Sequence, residues 1–251
     1  MKHALHISWI AVKELIFEKV FYILFSFVGL ALLLGMLLGQ LTFGEQAKLT
    51  LDFMLGAAHL SMVLFSIFMG ISLFQRELMM GSVSMLLSKP ISRTSFILGK
   101  YLGQIMVQAG VILAMTAVIV LSCLRFEDVY YLAIFQALAL MFFEICIITA
   151  ITYFFSVNAG SITAAVASFG FFVLGHYIHS SKNGITDTFV AKETLVALVP
   201  NLEVFNLKTF ASYGVTISTY ELFLSLAYAL ICMTIFLVAA SLTFERKDIL
   251  T

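Results

Sequence analysis

Glu144, in the stretch LMFFEICII, is the residue whose setting most demands a chemical account. It lies in the middle of a long apolar run, where an ionised carboxylate costs at least ~2.5 kcal/mol if the run crosses a bilayer. Such a group must face a protein interior and be either protonated or paired. Two roles fit it. It can line a substrate path or relay a proton, or it can hydrogen-bond Thr149, Gln104 or Gln108 and fix helix packing. His59, His176 and His179 form a second set, with Met54 and Met62 near His59 in sequence. His176 and His179 stand at i,i+3 and can share a metal ion. Isolated histidines near a membrane interface ordinarily act as polar tips on apolar bodies, however, so no metal and no cofactor is expected.

Other chemistry lacks its residues. No G-x-S-x-G, H-E-x-x-H or pair of nearby acids occurs within the apolar runs, so a hydrolase or transferase has no nucleophile or metal set, and the chain is not expected to be an enzyme. No G-x-x-x-x-G-K-[ST] occurs either; Gly99-Lys100 is followed by Tyr101. The chain therefore has no P-loop of its own.

The elements that hold these residues are transmembrane helices. Hydrophobic residues make up 62% and charged residues 11%, against about half and a quarter in soluble domains, and mean hydropathy is +1.07. The apolar runs are continuous rather than alternating, which selects helices over a β-barrel. Six spans are expected at about 20–40, 54–74, 100–123, 131–155, 160–180 and 220–243, in a single membrane domain covering 1–251. The fifth is small-residue-rich, and Gly160, Ala164, Ala165 and Ala167 suit close helix packing. Cys123, Cys146 and Cys232 fall inside apolar runs and read as small core residues. Zero net charge gives no attraction to nucleic acid.

Ahead of the first span, residues 2–18 read as an interfacial amphipathic helix. Leu5, Trp9, Val12 and Ile16 share its apolar face, and Glu14 and Glu18 are neighbours on another. The following apolar run is too long for a cleavable signal, acids precede it, and no A-x-A site follows. With both termini in the cytoplasm, the inner segments hold nine basic residues: Lys2, Lys13, Lys19, Arg76, Lys89, Arg93, Lys100, Arg246 and Lys247. The outer loops then hold five: Lys48, Arg125, Lys182, Lys192 and Lys208. That imbalance favours this orientation. The longest outer segment is then about 181–219.

The polar interruption at about 75–99 falls on the inner side. Val83, Leu86 and Leu87 form a small helical apolar face, Pro90 ends it, and a new helix runs from there into the third span. Read physically, this is either an ordinary positive-inside loop or a short surface helix rigidly joined to two spans, which would act as a lever.

The same stretch resembles the coupling region of ABC-2-type transporter permeases. The matching residues are Glu77, Gly81, Met85 to Ser88, Pro90 to Arg93, and Gly99 with Lys100. Gly175-His176, Val199-Pro200-Asn201-Leu202-Glu203 with Phe205-Asn206, and the terminal Phe244 to Asp248 are similar to the same family. The resemblance implies a permease half in a bacterial or archaeal cytoplasmic membrane. It would pair with a second permease half, as a homodimer or with a sister chain, and with cytosolic P-loop ATPase subunits. It implies an ATPase-coupling loop comprising Glu77, Gly81, Val83, Leu86, Leu87, Pro90, Arg93 and Lys100. The outer loops, short apart from about 181–219, favour export, or lateral handling of a lipid or peptide, over import. The competing reading is a proton- or ion-coupled membrane carrier using Glu144, with Gln104 and Gln108 beside it on the path. Broken helices and an inverted repeat, common in such carriers, are not evident.

Overall fold

In the computed structural model, residues 2–40, 46–79, 93–126, 129–180 and 199–246 are described. Among them every regular element is helical: α1 (Lys2–Phe17), α2 (Lys19–Gln40), α3 (Gln46–Met79), α4 (Arg93–Cys123), α5 (Tyr131–Asn158), α6 (Ser161–Ser180), a 3-10 turn (Glu203–Phe205), α7 (Lys208–Ser212) and α8 (Thr219–Arg246). Among the described residues, four stretches are long and apolar enough to cross a membrane: Gln46–Gln75, Thr94–Cys123, Tyr131–Asn158 and Thr219–Glu245. A fifth arises if the bent pair Ile7–Phe17 and Phe21–Leu37, turned by 65°, counts as one span. The apolar part of α6, Ser161–Tyr177, is shorter.

The sequence explains which helix is central. α5 is apolar on every side, so it has no preferred outer face. It is accordingly surrounded by α3, α4, α6 and α8, with Ala133, Ile134, Leu140, Ile147, Ile151 and Val157 all buried. Apolar side chains gain little from each other over lipid, so packing and polar contacts must specify the arrangement. At mid-height Ser66 Oγ lies 2.7 Å from Thr149 Oγ1, Gln108 Nε2 donates to Thr149 Oγ1 at 3.0 Å, and Gln104 Nε2 donates to the Ser66 carbonyl at 2.9 Å. These contacts join α3, α4 and α5 in one plane. Each adds on average about 0.6 kcal/mol inside a membrane. Nearer the α5–α6 turn, Gln75 Nε2 donates to the carbonyls of Ser156 and Ala159, at 3.0 and 2.8 Å, and so caps the end of α5.

α1 has two working faces. Trp9 and Ile16 of the expected apolar face are exposed, as a bilayer-facing anchor requires. Ser8, Ala11 and Leu15 form a second strip, buried against α4. Gly103 makes that approach possible, because a Cβ there would sit 2.6 Å from the Ser8 carbonyl oxygen and 2.7 Å from Ala11 Cβ.

One expectation needs correction. Of the small residues at the start of α6, Ala164 is fully buried, but Gly160 is exposed with open space around it, so the close contact of α6 begins a turn later. At the polar interruption α3 continues through Glu77 to Met79, and α4 starts at Arg93, in keeping with a new helix after Pro90 that runs into the third span. Gly81, Val83, Leu86, Leu87 and Pro90 lie outside the described residues. The three cysteines are free and buried, as expected of core residues.

Candidate functional site

Glu144 projects from α5 between two histidines. Its Oε2 lies 2.9 Å from His59 Nε2 on α3, and its Oε1 lies 2.8 Å from His176 Nε2 on α6. The carboxylate is 1% exposed. Each histidine has a further partner on its other nitrogen. Lys208 Nζ, at the start of α7, is 2.7 Å from His59 Nδ1, and Glu203 Oε2 is 3.0 Å from His176 Nδ1. The result is a continuous chain: Lys208, His59, Glu144, His176, Glu203.

Hydrogen-bond logic assigns the protons. An ammonium only donates, so His59 accepts from Lys208 at Nδ1 and carries its proton on Nε2, which donates to Glu144. His176 faces a carboxylate at each nitrogen, and an imidazolium satisfies both by donating twice. Two anions, Glu144 and Glu203, are then balanced by two cations, His176 and Lys208. A neutral, fully hydrogen-bonded set is the condition under which charge can be held away from water. Burial pulls the Lys208 ammonium below its ordinary pKa, against the opposing pull of Glu144, Glu203 and Asp52.

The segment 199–207 is shaped to deliver Glu203. Asn201 Oδ1 accepts from the Glu203 amide at 3.1 Å, the Asn201 amide donates to Tyr228 Oη at 2.7 Å, and Asn206 Nδ2 donates to Glu203 Oε1 at 3.0 Å. Leu202 is fully buried against Gly175. A Cβ at Gly175 would lie 2.8 Å from Leu202 side-chain carbons and 3.0 Å from the Pro200 carbonyl oxygen, so glycine is what lets this segment lie on α6. A cleft of about 440 Å³ opens over the group, lined by His59, Phe172, His176, Glu203, Asn206 and Lys208 among others.

The other expected site residues lie elsewhere. Gln104 and Gln108 are buried but bond Ser66 and Thr149, not Glu144, which corrects the pairing anticipated for that carboxylate. The reason is register: Thr149 on α5 points between α3 and α4, whereas Glu144 points between α3 and α6. His59 and His176 are not isolated interfacial tips, since both converge on one buried acid. Donor atoms of His59, Glu144 and His176 all lie within 4.8 Å of one another. Lys100 is 2% exposed, with its Nζ 2.6 Å from Glu14 Oε2. Glu77 and Arg93 stand at the facing ends of α3 and α4. Neither Glu203 nor Lys208 stood among the expected site residues: Lys208 counted as an outer-loop charge, and Glu203 as part of the Val199–Glu203 stretch of the family resemblance. The signal that bore on Glu203 was its place beside an Asn, in Asn201-Leu202-Glu203, where a side chain can turn the backbone.

None of the curated proteins matches the chain. A family profile described as "Protein of unknown function (DUF2705)" matches residues 44–250. That span leaves out α1 and α2 but contains His59, Glu144, His176, Glu203 and Lys208. By that match over most of its length, the chain belongs to the DUF2705 family.

Proposed function

We propose that this chain is the membrane-spanning permease subunit of an ATP-driven transporter, working as an exporter with a separate cytosolic ATPase. On this reading α2, α3, α4, α5, α6 and α8 are its six spans, both termini are cytoplasmic, and α1 lies at the inner face of the cell membrane. A second permease half completes the transport path. The observation that carries the reading is the docking of two stretches that resemble the permease family: Gly175-His176 receives the Val199–Asn206 segment through Leu202 and Glu203. A second feature supports it. α3 and α4 flank the 80–92 segment, and the buried Lys100–Glu14 pair ties α4 to α1, so a push on that segment would reach three helices together.

Affinity purification of the full chain from its native membrane tests the proposal. A P-loop ATPase should co-purify, and Leu86→Asp or Leu87→Asp should lose it while inserting normally, because a helix-in-groove contact does not tolerate a charge on its apolar face. Retention of the ATPase by both variants sinks the coupling-loop assignment, and absence of any ATPase from the wild-type complex sinks the permease reading.

The second reading, a proton- or ion-coupled carrier, draws on Glu144 lying between two histidines beneath an open cleft. Transport that persists without ATP and follows an imposed proton gradient favours it over the first.

A further inference from the structure

We infer that His59, Glu144 and His176 form a binding site for one divalent transition-metal ion of the zinc type. The inference holds whether or not the chain works with an ATPase. The donor set is two imidazole nitrogens and one carboxylate oxygen, which suits Zn²⁺ or Co²⁺ and leaves a fourth position for water or another ligand. Mg²⁺ and Ca²⁺ favour all-oxygen sites and are poorly served by it.

The geometry is close to what such an ion needs. Glu144 oxygens sit 2.9 and 2.8 Å from the two Nε2 atoms, and all three donors lie within 4.8 Å of one another. Tetrahedral ligands bound at about 2.0–2.1 Å stand roughly 3.3 Å apart, so each Glu144–histidine contact must open by a few tenths of an ångström, and the two Nε2 atoms must come to the same spacing from within 4.8 Å. Both histidines line the cleft, which gives an ion a route in.

The surroundings also match. Glu203 accepts from His176 Nδ1 at 3.0 Å and is itself held by Asn206 Nδ2 at 3.0 Å. A carboxylate behind the far nitrogen of a ligating histidine orients the ring and raises its basicity. Together Glu144 and Glu203 supply the two negative charges that a divalent ion would neutralise. On the other side, Lys208 Nζ sits 2.7 Å from His59 Nδ1. His59 ligating through Nε2 must carry its proton on Nδ1, so the ammonium has to withdraw into the cleft when the ion enters. Because the ligands come from α3, α5 and α6, a bound ion would pin three helices at the end of the bundle that carries α7.

The test uses the full-length protein in detergent, stripped with chelator, dialysed against micromolar Zn²⁺ or Co²⁺ and assayed for metal content. One equivalent per chain is expected, with visible Co²⁺ absorption of a low-coordinate nitrogen–oxygen site, and excess Mg²⁺ should not displace it. His59→Ala and His176→Ala should each abolish that absorption, while His179→Ala should retain it. Glu203→Gln keeps all three donors and should weaken binding about 10- to 100-fold. That variant, together with the wild-type spectrum, keeps the proposal testable if a histidine variant fails to give monodisperse protein. No bound metal in the wild type, or equal binding by His59→Ala and His176→Ala, would overturn it.

Discussion

Lys100 and Glu14 form an ion pair, Nζ to Oε2 at 2.6 Å, that joins the first helix of the chain to α4. The lysine side chain is 3% exposed and the glutamate 26%. The pair sits just where Gly103 lets α1 approach, so charge and close packing secure the same helix contact. The family resemblance implies a place for Lys100 in an ATPase-coupling loop; in the fold it also ties α4 to α1.

Lys100→Met should therefore lower thermal stability in detergent by roughly 1–3 kcal/mol, less than for a fully buried pair because Glu14 is partly solvated. Adding Glu14→Gln should restore part of the loss. A double-mutant cycle on unfolding midpoints measures the coupling; strict additivity of the two losses would show that the pair contributes nothing.

Glu144→Gln should be severely destabilising. Were the side chain a neutral packing group, the change would be tolerated. Here two histidine Nε2–H donors meet it, and a glutamine amide offers one acceptor and one donor, leaving a donor–donor clash and one uncompensated cation. A loss of roughly 3–5 kcal/mol is expected. Wild-type melting behaviour and expression in this variant would refute the charged assignment.

Gly175→Ala should loosen the 199–206 segment and cost about 1–3 kcal/mol, since its Cβ meets Leu202 and the Pro200 carbonyl. Gly170→Ala is the matched control on the same helix. Nothing lies within 4 Å of its Cβ position, so stability should hold or rise by up to about 1 kcal/mol. Limited proteolysis after residue 199 reads the difference, and equal cleavage of the two variants would count against the packing argument.

Orientation is checked by thiol labelling of intact cells. The nine-to-five division of basic residues predicts that Lys182→Cys reacts with an impermeant reagent and Ser88→Cys does not. Cys123 and Cys146 are buried and should stay silent in both. The reverse pattern would invert the topology and remove the coupling segment from the cytoplasm.

The all-helical class was legible in the sequence, and so were most helix positions. Backbone in lipid must satisfy its own hydrogen bonds, so length and hydropathy are local properties that can be read run by run. The anomaly of Glu144 was equally legible, because a lone carboxylate in an apolar run stands out without any knowledge of the fold. Its partners were not. His59 lies 85 residues before it and His176 lies 32 after. Gln104, Gln108 and Thr149 offered partners that looked just as good on paper. Which of them meets Glu144 depends on the rotation and register of α3, α4, α5 and α6, and many small packing contacts set these together. Glu203 and Lys208 arrive on a stretch with no apolar periodicity to announce it, laid onto α6 because residue 175 has no side chain. Sequence determined that a buried acid needed a partner; only the tertiary structure decided that two histidines, backed by a carboxylate and an ammonium, would fill that need.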